Sequence, residues 1–566
     1  MTAEQEAVRD RLSVELNLSA AAAALLVRRQ LTSADAAREF IRPSLDKMHD
    51  PFLMKGMHEA VDRLRQALNS REKILIYGDY DVDGTTAVAL MYRFLEQLQA
   101  DIDFYIPDRY AEGYGISFKG IDYAQQEKRT LIIALDVGIK AVDKVEYARQ
   151  KGIDMIICDH HKPGDTLPQA VAVLDSQQED DPYPYKALSG CGVGFKLAQA
   201  YTQQAGLSND LLEPLLELTA MSVASDIVPV TGENRILAAE GIKRINKKPS
   251  IGVRGLLRMA ECENKPVTIH ELAYRIGPRL NACGRIETGR EAVKLLITKD
   301  EAFAQKMAAD IESYNAHRRE LDQSIAKQAI EMLEADPTNK DKCTTVVYQP
   351  DWHRGVIGIV ASRLLETYYR PTIVLAKTDA GLIAGSARSV AGFNIYEAID
   401  ACSDLLTTFG GHTFAAGLSM TEDAYPEFCR RFEAFVAEHI TPDQQQRTLQ
   451  VEAEINLEDI DERFYSVIRA LEPCGPENPT PLFVTRRLFN NRYTRRVGKM
   501  GEHLKLDLTD GEAAIGGIAF RKGDEALYIQ NGNKVDVCYS LQANTFNGQT
   551  RIEMFVEDIK PSSHAD

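Results

Sequence analysis

Three aspartates stand at every second position in GDYDVDG (Asp79, Asp81 and Asp83), directly behind the apolar run KILIY. Carboxylates this close repel one another unless solvent or cations neutralise them. Three later stretches offer residues of the same kind: LDVG with Asp136, CDHH with Asp159, His160 and His161, and VASDIVP with Asp226. Taken singly, an aspartate behind a strand is more often a helix cap or turn former than a ligand. Taken together, several carboxylates and an imidazole converging in space need compensation of several kcal/mol, which divalent cations supply. A mixed carboxylate and histidine shell suits Mn²⁺ or Mg²⁺, with the imidazole favouring Mn²⁺. Two such ions ~3.5–4 Å apart acidify a shared water and hold a phosphodiester for in-line attack. The expectation is therefore a two-metal phosphodiester site.

Positioning these groups requires strands. KILIYGDY, TLIIALDVG, DMIICDHH and AVAVLDS are short apolar runs, each reaching an aspartate and each separated from the next by helix-length sequence. That alternation indicates a parallel sheet covered on both faces, with ligands bound beyond the carboxyl ends of the strands. Alternation puts Asp79, Asp81 and Asp83 on one face if the segment stays extended, whereas the following DG and TT invite a turn into a helix that separates them. An alanine-rich helical segment (1–45) precedes the first α/β unit (46–300). From Glu301 the chain runs to Pro337 without Gly or Pro, with apolar residues at three- and four-residue spacing. This predicts one connecting helix (301–338) about 50 Å long. TTVVYQ, TIVLAK and LIAGSARS then restart strand patterning in a second α/β domain (339–442). The remainder (443–566) alternates short strands with Gly- and Asn-containing turns, the pattern of a small β-barrel.

The 566 residues are too many for one core. The nine cysteines are scattered without a C-x-x-C, so neither a disulfide framework nor a zinc site is signalled. The apolar run Ala20 to Val27 is far below the ~20 residues of a membrane span, and the expected location is cytoplasmic. A net charge of −17 argues against coating of nucleic acid by overall charge but leaves room for a local basic path. One such reversal of sign is TRRLFNNRYTRRVGKM, where Arg486, Arg487, Arg492, Arg495, Arg496 and Lys499 surround Phe489 and Tyr493. Basic groups with aromatic faces suit a single strand; a solvated basic turn over two core aromatics is the plainer alternative. Arg109 behind the strand end FYIPD, and Arg279, Asn281 and Arg285 in RIGPRLNACGR, a stretch expected to be loop-like, offer forks that match phosphate or else pair with nearby acids. Tyr110 and Tyr114 either stack on a base or pack. FGGHTFAAG (409–417) is either a tight helix–sheet crossing or a phosphate site built on exposed N–H groups.

GDYDVDGTT, LDVG, DHH and ASDIVP resemble the four sequential motifs of the DHH phosphoesterase superfamily. Nearly the whole chain after about residue 40 is similar to its RecJ branch, the single-strand-specific 5′-to-3′ exodeoxyribonucleases, through YGISFKG, LSGCGVGFKLA, RIGPRLNACGRIETG, WHRGVIGIVASRL, GSARSVAGFNIYEAI, FGGHTFAAG and LEPCGPENPTPLF. The resemblance implies that Asp81, Asp83, Asp136, His160 and Asp226 hold two divalent ions, Mn²⁺ or Mg²⁺. Asp79 and Asp159 lie in or beside that shell, and His161 touches the scissile phosphate or moves a proton. It further implies that Ser386, Arg388 and the Gly410-Gly411-His412 turn hold the DNA end, with His353 a neighbour, and that the C-terminal unit is an OB-fold. The implied activity is exonucleolytic release of 5′-mononucleotides in DNA repair and recombination. The rival within the superfamily is a phosphodiesterase of short oligoribonucleotides or cyclic dinucleotides. Expected partners are single-stranded DNA, with single-strand-binding protein and a helicase as accessory proteins, and the expected state is a monomer.

Overall fold

In the computed structural model, which describes residues 1–546 and 548–562, the acids of the first motif are carried by a five-stranded parallel sheet. Its strands are β1 (Lys73–Gly78), β2 (Asp101–Tyr105), β3 (Leu131–Leu135), β4 (Asp154–Cys158) and β5 (Ala172–Leu174), in the order β2-β1-β3-β4-β5. Every residue of β3 is buried, as are all but the first of β1 and of β4, because helices cover both faces. The strand order reverses between β1 and β3, and a doubly wound sheet opens a crevice beyond its carboxyl ends at that reversal. Asp79 and Asp136 follow these two strands. The fold therefore aims the acids at a common space before any side chain is considered.

The connecting helix is a single element, Glu301–Ala335, with Asp300 capping its first turn. It leads to a mixed sheet made of β6 (Thr345–Tyr348), β7 (Thr372–Lys377), β8 (Ile383–Arg388), β9 (Thr408–His412) and β10 (Ala415–Met420), ordered β6-β7-β8-β10-β9. FGGHTFAAG is thus a β-hairpin at a sheet edge rather than a helix–sheet crossing. RIGPRLNACGR also departs from its expected loop, forming a wide turn at Leu272–Ile276 that runs into the helix Gly277–Ile286. Pro278 falls in the first turn, where no helical hydrogen bond is lost, so the Gly/Pro punctuation marks a helix start.

The C-terminal sheet comprises β11 (Ala453–Glu454), β12 (Phe483–Asn490), β13 (Arg495–Val497), β14 (His503–Thr509), β15 (Ala514–Ala519), β16 (Val535–Phe546) and β17 (Gln549–Pro561). It curves far enough for β12 to pair with both β16 and β14. The N-terminal helices, although first in sequence, pack here. Leu12, Leu25, Leu26 and Val27 share one apolar core with Phe464, Phe483 and Leu488. Arg29 holds Glu452 through two bonds of 2.8 and 3.0 Å.

This body is latched back to the first domain by Arg235, on the helix Gly232–Lys247 and 2% exposed. Its guanidinium donates to the carbonyls of Phe40, Ala470, Leu471, Glu472 and Pro473 at 2.7–3.1 Å. The acceptors include the carboxyl end of the helix Glu462–Ala470, where a cation is favoured by the exposed carbonyls. Arg235→Leu leaves those carbonyls without donors and is expected to cost roughly 2–4 kcal/mol. Thermal melts should show an earlier transition; an unchanged melt would contradict the latch.

Candidate metal centre

β1 ends at Gly78, and the chain turns directly into the helix Val82–Gln97. Asp79 lies in the turn and is buried, Asp81 caps the helix by accepting from the Gly84 N–H at 3.0 Å, and Asp83 lies in the first turn. The turn, not an extended strand, distributes the three acids. Gly84 is required for it, since a Cβ there would sit 2.6 Å from the Asp79 backbone. Asp83 accepts from the Gly190 and Cys191 N–H groups at 2.7 and 2.8 Å, at the amino end of the helix Gly190–Gln204, and from Ser222 Oγ at 2.7 Å. A helix amino terminus is a natural seat for a carboxylate.

Asp136 adopts φ 60°, a left-handed backbone that costs a non-glycine residue about 1 kcal/mol. Its N–H bonds the Cys158 carbonyl at 2.8 Å, and its side chain abuts Gly190, where a Cβ would fall 2.6 Å from that of Asp136. The strained backbone turns the carboxylate into the crevice, where Oδ1 lies 3.2 Å from His160 Nε2. The same His160 nitrogen is 3.7 Å from Asp83 Oδ2 and 3.6 Å from Asp226 Oδ2, the latter at the end of the helix Leu216–Ser225.

Among the described residues Asp79/Asp81/Asp136 and Asp83/His160/Asp226 form two ligand sets and Asp136/His160/His161 a third that links them, each with donor atoms within 4.8 Å of one another. Asp136 also approaches His160, so it stands between the two. Asp79 Oδ1, Asp136 Oδ1 and Asp226 Oδ2 are buried without a hydrogen-bond partner among the described residues. Three orphaned carboxylate oxygens around one space are the physical signature of a cation site, because burial without compensation costs several kcal/mol per charge. The donor set fits Mn²⁺ or Mg²⁺. Burial, reinforced by neighbouring acids, pushes the Asp79 and Asp136 carboxyls well up and the Asp226 carboxyl to about 6.

Asp159 has another task. Oδ1 accepts from the His160 and His161 N–H groups and lies 2.7 Å from His161 Nδ1, while Oδ2 accepts from Ile139 N–H at 2.9 Å. Burial raises its pKa, but the bond and charge of His161, the Ile139 N–H and His160 together outweigh this and hold the carboxyl low. With Nδ1–H donated to Asp159, His161 presents Nε2 to the crevice, 3.1 Å from the Tyr114 hydroxyl.

Beyond the acids lies a cluster of cations. Arg109 stacks on Tyr80, and Arg285 donates to the Gly355 carbonyl at 2.9 Å across to the second domain. Tyr110 returns the contact by donating to the Arg285 carbonyl at 2.7 Å and meets His353 edge-on. Arg388 donates to Ser386 Oγ at 3.0 Å. Burial, with Arg109, Arg318 and Arg388 nearby, draws the Arg285 pKa down to about 10. In the hairpin sheet Ser386 lies opposite Gly417, which in turn lies opposite Gly410, and Arg388 lies opposite Ala415, which lies opposite His412. Directly opposed residues share a face, so small residues form a shelf bounded by Arg388 and His412, with Gly411 between the register positions and exposed.

Several expected contacts are already satisfied internally. Arg279 donates to Glu312 at 2.6 Å, and Asn281 sits half-buried on the same helix. Arg486 pairs with Glu454 and Asp536, and Arg496 with Asp524. Arg487 and Arg495 are exposed, as is Tyr493. Arg318, a member of the cation cluster, was not anticipated. Nothing in its local sequence sets it apart from a solvated helix residue; only the structure shows Asn315 and Asp322 buried beside it.

A parallel sheet with acids at its switch point and a DHH triplet behind the next strand, joined by a long helix to a mixed sheet, defines a DHH-type phosphoesterase architecture. Family models agree: the DHH family N-terminal domain matches residues 73–223, the DHHA1 domain 340–438 and the RecJ OB domain 451–558. The chain belongs to the RecJ family. It is 35% identical over 553 residues to the single-stranded-DNA-specific exonuclease RecJ of Bacillus subtilis, covering 97% of this chain and 69% of that one. It is 32% identical to RecJ of Dickeya dadantii, covering 98% and 99%. The structure of Thermus thermophilus RecJ in complex with Mn²⁺ matches with a TM-score of 0.84 at 30% identity, covering 98% of this chain and 78% of that one.

Linkage gives a test of the centre. A carboxyl whose pKa is raised in the folded state, from ~4 in the unfolded chain, stabilises the metal-free protein at low pH and loses that contribution as pH rises through about 6 for Asp226. Metal uptake must displace those protons. Mn²⁺ should therefore raise the melting temperature more at about pH 8 than at about pH 5. Equal shifts would argue against binding at these acids.

Proposed function

We propose that this chain is a metal-dependent exonuclease specific for single-stranded DNA, cleaving from the 5′ end to release 5′-mononucleotides during DNA repair and recombination in the cytoplasm. The observation that carries the reading is the trio of orphaned carboxylate oxygens of Asp79, Asp136 and Asp226 around His160. Family membership and the Mn²⁺-bound relative support it over a phosphodiesterase of short oligoribonucleotides.

Asp79, Asp81, Asp83, Asp136, His160 and Asp226 would hold two divalent ions. Bound there, the ions supply Lewis-acid activation of the phosphodiester and of water at neutral pH. The rest falls to the chain. Asp159 fixes the tautomer of His161, so that Nε2 faces the substrate and can exchange a proton with it. Arg109, Arg285, Ser386 and Arg388 would seat the terminal phosphate, since guanidinium forks match phosphate oxygens in pairs. The shelf of Gly410, Gly411 and Gly417 lets the backbone of the strand lie close to the sheet. The exposed Arg487, Arg495 and Tyr493 would grip the incoming strand. The enzyme is read as a monomer, with single-strand-binding protein and a helicase supplying its substrate.

Asp136→Ala should lower kcat by at least about 10³-fold while affinity for a single strand changes little, because the phosphate-holding arginines are untouched. Turnover near the wild-type rate would remove Asp136 from the centre. A second expectation concerns strandedness: with Mn²⁺, a 5′-phosphorylated single strand is degraded and the matching duplex is spared. Comparable rates on both would contradict a cleft that admits one strand.

A further inference from the structure

The cluster around Arg285 continues along the connecting helix. Arg318 lies near enough to feel both Arg285 and Arg363, and Arg363 is bonded to Asp322 at 2.6 Å. Positions 318, 322, 326 and 330 recur every fourth residue and so form one stripe of the helix Glu301–Ala335. From Arg318 to Ile330 the stripe covers about 18 Å.

At its far end Ile330 lines a cavity of about 560 Å³. The cavity is open, lying between the connecting helix, the helix Ile357–Tyr368, the segment carrying Arg447, and Arg521 of the C-terminal domain. Three arginines face it, Arg363, Arg447 and Arg521, against the single carboxylate of Glu366. Arg363 already has Asp322, whereas neither Arg447 nor Arg521 makes an ion pair among the described residues. Arg521 sits in a turn, at φ 57° with its backbone N–H donated to His503 Nδ1 at 3.2 Å. Arg447 and Arg521 are both exposed, so a ligand can reach them. Two unpaired guanidiniums converging over the apolar floor of Ile330 and Ile359 invite a polyanion.

We propose that this cavity is a second anchorage for the phosphodiester backbone of the single strand, at the end of a track of guanidinium groups leading from the metal centre through Arg109, Arg285, Arg318 and Arg363. The proposal rests on the nuclease reading and adds a length requirement, because only a strand extending several nucleotides beyond the cleaved bond reaches Arg447 and Arg521.

The test compares wild type with Arg447→Gln/Arg521→Gln. Binding of a strand of about 20 nucleotides is followed by fluorescence anisotropy across a salt series without metal. Hydrolysis of a trinucleotide is followed with Mn²⁺. The variant should bind the long strand about tenfold more weakly, with a salt slope of log K reduced by about 1.4, the value for two phosphates lost. Its kcat and KM on the trinucleotide, and its melting temperature, should match wild type. Unchanged long-strand affinity and slope would overturn the proposal. So would an equal loss on the trinucleotide or for a mononucleotide, since that would mark a site for any phosphate rather than for the extended backbone. Binding is read without turnover, so absence of hydrolysis by the wild-type chain would overturn the nuclease reading and leave the binding comparison decisive for this one.

Discussion

The structure depends on an electrostatic debt: one oxygen each of the Asp79, Asp136 and Asp226 carboxyls is taken from water without a hydrogen-bond partner among the described residues. A protein of ordinary stability, roughly 5–15 kcal/mol, cannot carry several such charges without a counter-ion. Everything near them serves to keep them there. Gly84 and Gly190 let backbones close on Asp79 and Asp136, the strained φ of Asp136 aims its side chain inward, and Asp83 is fixed by two backbone N–H groups and Ser222. The protein maintains an arrangement that is unfavourable alone and becomes favourable when divalent ions enter.

The opposite sign is handled in the same way. Arg109, Arg285 and Arg388 come together where the two α/β domains meet, and Arg285 is depressed in pKa by burial and by the other arginines. A cluster of cations beside a cluster of anions would relax by pairing if side chains could reach. Here the two clusters stay apart because members of each are held by other bonds: Arg285 by the Gly355 carbonyl, Arg388 by Ser386 Oγ and the Ala387 carbonyl, and Asp83 by the Gly190 and Cys191 N–H groups. In the proposed function a phosphodiester with its bound ions would satisfy both at once, which is the electrostatic preorganisation that hydrolysis requires.

The strands and their terminal acids were legible in the sequence, because a buried parallel strand is a continuous apolar run and Asp136 or Asp159 marks its end. The connecting helix was legible through 35 residues free of Gly and Pro. What was not legible depended on partners remote in sequence. RIGPRLNACGR looks like a loop until Pro278 is seen in a first helical turn. FGGHTFAAG looks like a crossing until Gly410 is found opposite Gly417. Arg279 and Arg486 resemble phosphate ligands until Glu312 and Glu454 are found beside them. The docking of the first three helices onto the C-terminal core, and the Arg235 latch, join residues more than 190 positions apart and leave no local periodicity to read.

The most direct measurement of the central claim is anomalous diffraction from a crystal of this protein soaked in Mn²⁺. The account predicts two peaks, one within coordination distance of Asp79, Asp81 and Asp136 and the other of Asp83, His160 and Asp226, with Asp136 near both. Peaks elsewhere, or none at these oxygens, would contradict it.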